Sequence, residues 1–249
     1  MSRKFADLHV RCDIGPDGEG LRSITRRARF LGFSLLAIPL SPGATKKRLS
    51  ELKAIAEEEG IDLATRVDLA PTSRDELLSS LRRLRRRFEL IGVLCQNKRV
   101  ARVAARDRRV DLLSFPLEPR KRFFDRAEAE LASGSNCALE LDLMPLLELS
   151  VRERVRLLRR LRAEVALAEK EGIPIVISSG ATEAILMRKP RELAYLASEL
   201  FDMSLEEALD ALSKRPLEIV ERNRAKLSPD FIAPGIRLIR RGRDCPLER

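Results

Sequence analysis

An α/β fold, a TIM-barrel-like (β/α) barrel, is what this sequence predicts, and three observations carry it. Short apolar runs alternate with amphipathic helical stretches almost from end to end. The runs are continuously apolar, as in strands covered on both faces of a parallel sheet. Seven of them occur in 249 residues, a length normal for one closed barrel. An open doubly wound sheet is the competing arrangement, but no run is followed by a GxGxxG turn.

The predicted strands are Phe5–Val10, Phe33–Pro39, Ile61–Leu69, Leu90–Cys95, Val110–Phe115, Cys137–Leu143 and Ile173–Ser178. Between them, Leu77, Leu81, Leu84 and Phe88 recur at helical spacing and mark one helix face. Val151, Val155, Leu158, Leu161 and Val165 mark another, in the longest helix. Gly60 and Gly172 follow charged helical segments and precede strands, as helix-ending glycines do. After Ser178 the rhythm changes: Pro190–Phe201, Leu205–Leu212 and Pro216–Leu227 read as consecutive helices, with Ser204 and Glu207 matching a capping box. An eighth strand is weak or missing in this pattern, which points to an irregular barrel with a helix-rich C-terminal part. Ile236–Ile239 could add a short edge strand. The expected organisation is one barrel-like domain over residues 1–240, then a basic tail over 241–249 in which disorder is expected.

Charge narrows the partners. With 48 Lys plus Arg against 38 Asp plus Glu, the net charge is +10, and charged residues make up 35% of the chain. Arg–Glu pairing explains many charges but not the excess, which favours a polyanion, with RNA or DNA leading the list. Aromatics are scarce, with nine Phe, one Tyr and no Trp, so base stacking is not the expected mode of contact. Backbone and shape contacts to nucleic acid through Arg and Lys fit better. Arginines concentrate at Arg82, Arg83, Arg85, Arg86 and Arg87, at Arg152 through Arg162, and at Lys98, Arg99, Arg102, Arg106, Arg108 and Arg109. A smaller set, Arg188, Lys189 and Arg191, surrounds Pro190. The four cysteines (Cys12, Cys95, Cys137, Cys245) are far apart without a CxxC pair, which argues against a zinc site or disulfide framework. No uncharged apolar stretch is long enough to span a membrane, and no signal peptide is recognisable, so a soluble cytoplasmic protein is expected.

Catalytic chemistry is poorly provided for. His9 is the only histidine, which excludes a multi-histidine metal centre. A carboxylate site for Mg²⁺ or Mn²⁺ survives as the alternative, in a phosphoesterase barrel drawing on Asp7, Asp13, Asp68, Asp111, Glu140 and Asp142. Glu140 and Asp142 share a strand face by period-two alternation. No predicted strand core holds a Schiff-base lysine, and no GxSxG elbow accompanies Ser178 or Ser179. The segment IVISSGATE, Ile175–Glu183, has the layout of a phosphate-binding βα loop, or simply of a glycine turn with Thr182 as an N-cap.

Taken in order, FADLHV, VARVAARDRRVDLLSFP, CALELDL, VISSGA, MRKPRELAYLASELFDMSLEEALDALSKRPLEIVERN and PGIRLI resemble the ribonuclease P protein component 3 family over about residues 3–240. The resemblance implies a TIM-barrel-like subunit of ribonuclease P, the ribonucleoprotein that removes 5′ leaders from precursor tRNA. It implies catalysis by the RNA subunit, no catalytic or metal-binding residue and no cofactor in this chain, and Mg²⁺ for the holoenzyme RNA. The implied partners are that RNA, other ribonuclease P proteins, chiefly a small α/β subunit forming a heterodimer or heterotetramer, and precursor tRNA indirectly. Together with the charge pattern, it makes Lys98, Arg99, Arg102, Arg106, Arg188, Lys189 and Arg191 the expected RNA contacts. Two positions depart from the family pattern: Ala101 stands where Asn is frequent, and Phe115 where many members carry His.

Overall fold

The computed structural model describes residues 3–15, 17–233 and 236–238. Seven strands form one parallel sheet in chain order: β1 (Phe5–Asp7), β2 (Phe33–Pro39), β3 (Asp62–Leu69), β4 (Leu90–Leu94), β5 (Leu112–Ser114), β6 (Ala138–Asp142) and β7 (Ile175–Ser178). Each lies within, or coincides with, its predicted apolar run. The runs overshoot because residues just past the assigned strands stay buried, Leu8, Val10 and Cys95 among them.

Helices α1 (Glu19–Leu31), α2 (Lys46–Glu58), α3 (Arg74–Leu84), α4 (Lys98–Arg106), α5 (Arg126–Ser133), α6 (Met144–Glu148) and α7 (Val151–Lys170) link the strands. Then α8 (Pro190–Phe201), α9 (Leu205–Ala211) and α10 (Lys214–Leu227) follow without an intervening strand. Their starts are legible in the residues: Ser73, Asn97, Asp125, Ser150 and Ser204 each accept a hydrogen bond from the first turn. Ser150 and Ser204 complete reciprocal capping boxes with Glu153 and Glu207. On α3 the Leu77, Leu81 and Leu84 stripe is fully buried together with Phe88; each such side chain contributes roughly 1.5–3 kcal/mol. In α7 the predicted stripe is displaced. Val151 and Val155 are 73% and 61% exposed, and the buried face runs through Leu157, Leu161, Glu164, Val165 and Ala168.

Two apolar layers result. The larger lies between sheet and helices. The smaller fills the barrel: Ala6, Leu8, Leu35, Ala37, Ala64, Leu90, Leu112, Ala138 and Val176, closed by Ile219 and Val220 of α10. The C-terminal helices thus plug the barrel from the end where the strands begin.

Between β7 and β1 there is no ladder and no eighth strand among the described residues. The seam is closed by Ala6 N–H donating to Leu212 O (2.9 Å), and near the strand tops by Gly180 N–H to His9 O (2.9 Å) and Arg11 N–H to Ala181 O (2.8 Å). The edge strand expected at Ile236–Ile239 does not join the barrel: β9 (Ile236–Arg237) pairs antiparallel with β8 (Phe231–Ala233) in a separate ribbon. Ile239, the tail 241–249 and Cys245 lie outside the described residues.

Candidate functional site

The barrel mouth, where a (β/α) barrel carries its chemistry, holds a polar network built around a residue that sequence reasoning passed over. Arg66, mid-strand in β3, is 0% exposed. Its Nη1 and Nη2 donate to the two oxygens of Glu140 at 2.6 Å each, its Nε to Asp68 Oδ1 at 2.7 Å, and Nη1 also to Leu8 O at 2.6 Å. Ser178 Oγ donates to Glu140 Oε1 at 3.0 Å. Above this layer His9 bridges the barrel, with Nδ1 2.8 Å from Asp142 Oδ2 and Nε2 3.1 Å from Asp68 Oδ2.

The register accounts for this grouping. Inward positions alternate along each strand, so Ala64, Arg66 and Asp68 on β3 face Ala138, Glu140 and Asp142 on β6. Gly92 on β4 makes the room: a methyl group there would overlap Asp68 Oδ1 and lie 2.9 Å from Arg66 Nη2.

Burial opposes charge throughout, and pairing decides the outcome. Arg66 stays charged because Asp68 and Glu140 surround it. Burial works against Asp68 as well, yet Arg66 and His9 hold it well below the ordinary carboxylate range. Burial and the Arg66 charge oppose a proton on His9, but Asp142 and Asp68 outweigh them and raise it to about 9. Asp7, with Oδ1 accepting from His9 N–H and Ser179 N–H and Oδ2 without a hydrogen-bond partner among the described residues, is driven upward by burial toward the protonated form.

His9, Glu140 and Asp142 each present a ligand atom, all within 4.8 Å of one another. Those atoms are already engaged: both oxygens of Glu140 by Arg66, and His9 Nδ1 by Asp142. The guanidinium gives Glu140 the positive charge that a cation would otherwise supply. The other carboxylates of the alternative reading are elsewhere. Asp13 caps its own turn by accepting from Gly15 N–H (3.1 Å). Asp111 lies at the opposite end of the barrel, bonded to Arg85, Ile91 N–H, Arg222 and Asn223.

The SSG loop is likewise self-satisfied. Ser179 N–H donates to Asp7, Gly180 N–H to His9 O and Ala181 N–H to Ser179 Oγ, so its amides bind the protein's own atoms rather than cradling a phosphate. No α-helix follows directly and Thr182 caps none; a 3₁₀ turn, Ala184–Leu186, intervenes before α8.

The predicted RNA contacts are all exposed, but the barrel divides them into two groups. Lys98, Arg99, Arg102 and Arg106 lie on α4. Arg188, Lys189 and Arg191 lie at the start of α8, and α5 and α7 stand between along the helical wall. Lys98 pairs with Asp125 at 2.9 Å. Beneath Arg102, Glu128 is pushed up by burial, then by Asp125, to about 8. Near neutrality it is largely protonated, which leaves Asp125 as the acid that offsets the Arg102 charge.

Several other arginines are structural. Arg85 donates to Arg109 O, Phe88 O, Glu89 O and Asp111. Arg87 donates to Ala44 O. Arg154 gathers Leu146 O, Leu147 O and Leu149 O where α6 ends, and Arg162 takes Glu199 O and Leu200 O at the end of α8. Those runs are therefore partly helix-end clamps rather than open cationic faces.

The match to known proteins covers almost all of this framework. Residues 4–228 match the family described as RNase P subunit p30. The chain belongs to the RNase P subunit p30 family. It is similar to ribonuclease P protein component 3 of Methanococcoides burtonii, 29% identical over 237 residues, covering 95% of this chain and 94% of that protein. The same protein of Methanosarcina barkeri is 29% identical over 240 residues, with 96% and 97% covered. In shape, the chain resembles one in a cryo-EM structure of archaeal ribonuclease P with mature tRNA, at TM-score 0.83, 22% identity, and 96% and 100% coverage. A prolidase structure shares the barrel more loosely, at TM-score 0.56, 12% identity, and 94% and 78% coverage. The two positions expected to depart from the family pattern are both buried. Ala101 lies on the buried face of α4. Phe115 packs edge-to-face on Phe124, with centroids 5.9 Å apart, under the Arg122 guanidinium, which pairs with buried Glu164 at 2.6 Å.

Proposed function

We propose that this chain is a protein subunit of ribonuclease P that binds the catalytic RNA and a small α/β partner protein, as a heterodimer or heterotetramer, in the cytoplasm. In this role it supports 5′-leader removal from precursor tRNA, which it meets indirectly. The observation that carries the reading is the family match across residues 4–228. The chemistry belongs to the RNA and its Mg²⁺, and this chain contributes cations: α4 and the Arg188–Arg191 segment would contact phosphates. Self-satisfaction of the barrel mouth supports a non-catalytic role, since Arg66 and Asp142 already hold the groups a hydrolase would need free. No helix among the described residues is long and apolar enough to cross a membrane.

Reconstitution tests the proposal. Adding the chain to the RNA and the other protein subunits should raise precursor-tRNA cleavage, and the chain alone should cleave nothing. Equal holoenzyme activity with and without it would count against a subunit role. Hydrolysis of phosphodiesters by the isolated chain, abolished in Glu140→Ala, would instead favour the phosphoesterase alternative.

A further inference from the structure

The sequence has few aromatic residues, yet Phe30 and Tyr195 are placed in solvent. Phe30, near the end of α1, is 77% exposed, and Ile185 on the 3₁₀ turn beside it is 69% exposed. That turn packs on α1, so the two side chains belong to one surface. One helical turn before Phe30, the Arg27 guanidinium lies over the ring, 5.6 Å from its centroid. The Nε of Arg27 is buried and has no hydrogen-bond partner among the described residues. Arg188, two residues past that turn, donates from Nη1 back to Ile185 O (2.8 Å) and Met187 O (3.1 Å). Along the α1 side of the patch, Arg22 and Arg26 are held by Glu58 and Glu59 at 2.6 and 2.8 Å.

We propose that Phe30, Arg27, Ile185 and Arg188 form a docking site for an unpaired nucleotide of RNA. The base stacks on the ring face that Arg27 leaves open, Ile185 covers its edge, and Arg188 takes the adjoining phosphate. The inference rests on the RNA-binding reading above and goes beyond it, because stacking recognises a single strand whereas phosphate contacts do not. Charge complementarity selects the occupant. An apolar protein segment would gain from covering Phe30 and Ile185, but it would also bury the Arg27 and Arg188 charges without a counter-ion. A nucleotide satisfies both at once, through its π-face and its phosphate.

The absence of tryptophan makes the test direct. In Phe30→Trp the introduced indole is the protein's sole tryptophan emitter, and position 30 is exposed enough to accept it without repacking. The full-length chain is titrated with a single-stranded oligouridylate, while anisotropy of a label on the oligonucleotide reports binding independently. Stacking should quench the indole saturably, at least about twofold, and duplex RNA should not. Phe30→Ala should weaken single-strand binding about 5- to 150-fold, the range expected for one base stacked on an aromatic ring, and Phe30→Tyr should retain it. Binding by anisotropy with unchanged indole emission would overturn the platform and leave the RNA reading standing. No binding of any RNA, even at low salt, would overturn both. A blue shift on adding a protein subunit but not RNA would reassign the surface to protein docking.

Discussion

At the scale of single residues, the barrel mouth depends on Arg66. Removing its charge in Arg66→Met strands the fully buried Glu140 without its cation, a situation that costs about 3–5 kcal/mol. Urea denaturation should show that loss, and Arg66→Met combined with Glu140→Leu should recover part of it, since the unpaired charge is then gone. An equal loss in single and double variants would show the pair is not coupled. His9 sets a pH window. Its folded-state value, about 9, lies above the ordinary 6.5, so its contribution is complete below pH 6.5 and is lost as pH rises through 9. The amount is on the order of 3 kcal/mol, at about 1.4 kcal/mol per unit. Stability measured from pH 6 to 9.5 should fall, and His9→Gln should flatten that fall. Little of this network is legible in the sequence. Glu140 and Asp142 are visible by alternation, but one arginine in a strand carries no signal of which way it points. Only the barrel's closure shows that Arg66 points inward to meet them.

At the scale of elements, the strands are the most legible part, because burial on both faces leaves continuous apolar runs that nothing else in the chain imitates. The function of α10 is not legible. Its stripe reads like that of any surface helix, yet Ile219 and Val220 fill the barrel, while Asn223 donates to Glu89 O and Asp111 at 2.8 Å each. Arg224 adds Glu89 and Asp62, at 2.7 and 2.6 Å. Removing the amide in Asn223→Ala takes one of two donors from Glu89 O and from Asp111 Oδ1, which keep Arg85 and Arg222, at about 1–3 kcal/mol. Hydrogen exchange should then accelerate in α10 before the strands. Uniform acceleration throughout the chain would show that α10 does not open as a unit. The misplaced stripe in α7 has a related cause. Helical spacing identifies a face but not where along the helix packing against the sheet begins, so Val151 and Val155 resemble core.

At the scale of the whole molecule, the cationic surface is organised by sectors. The α4 group and the Arg188–Arg191 group are separated by intervening helices, so they share no local partner. Neutralising Arg102 and Arg106 together, or Arg188 and Arg191 together, should each weaken RNA assembly and reduce its salt dependence. The two effects should add in free energy, as they do for distant independent sites. Every phosphate that goes unneutralised in a variant should lower the log–log salt slope by about 0.7–0.9. Non-additive effects, or an unchanged slope, would place the RNA on a different sector. The division is invisible in the sequence because spacing along a chain does not report angle around a barrel.

The order in which the polypeptide is made gives the α10 plug one more consequence. All seven barrel strands leave the ribosome before the helix that seals their starting ends, so Glu89 and Asp111 await the last of their partners until synthesis has passed residue 224. A nascent chain halted before α10 should expose the apolar barrel lumen and recruit chaperones, and one halted after it should not. The barrel matures from its last helix backwards.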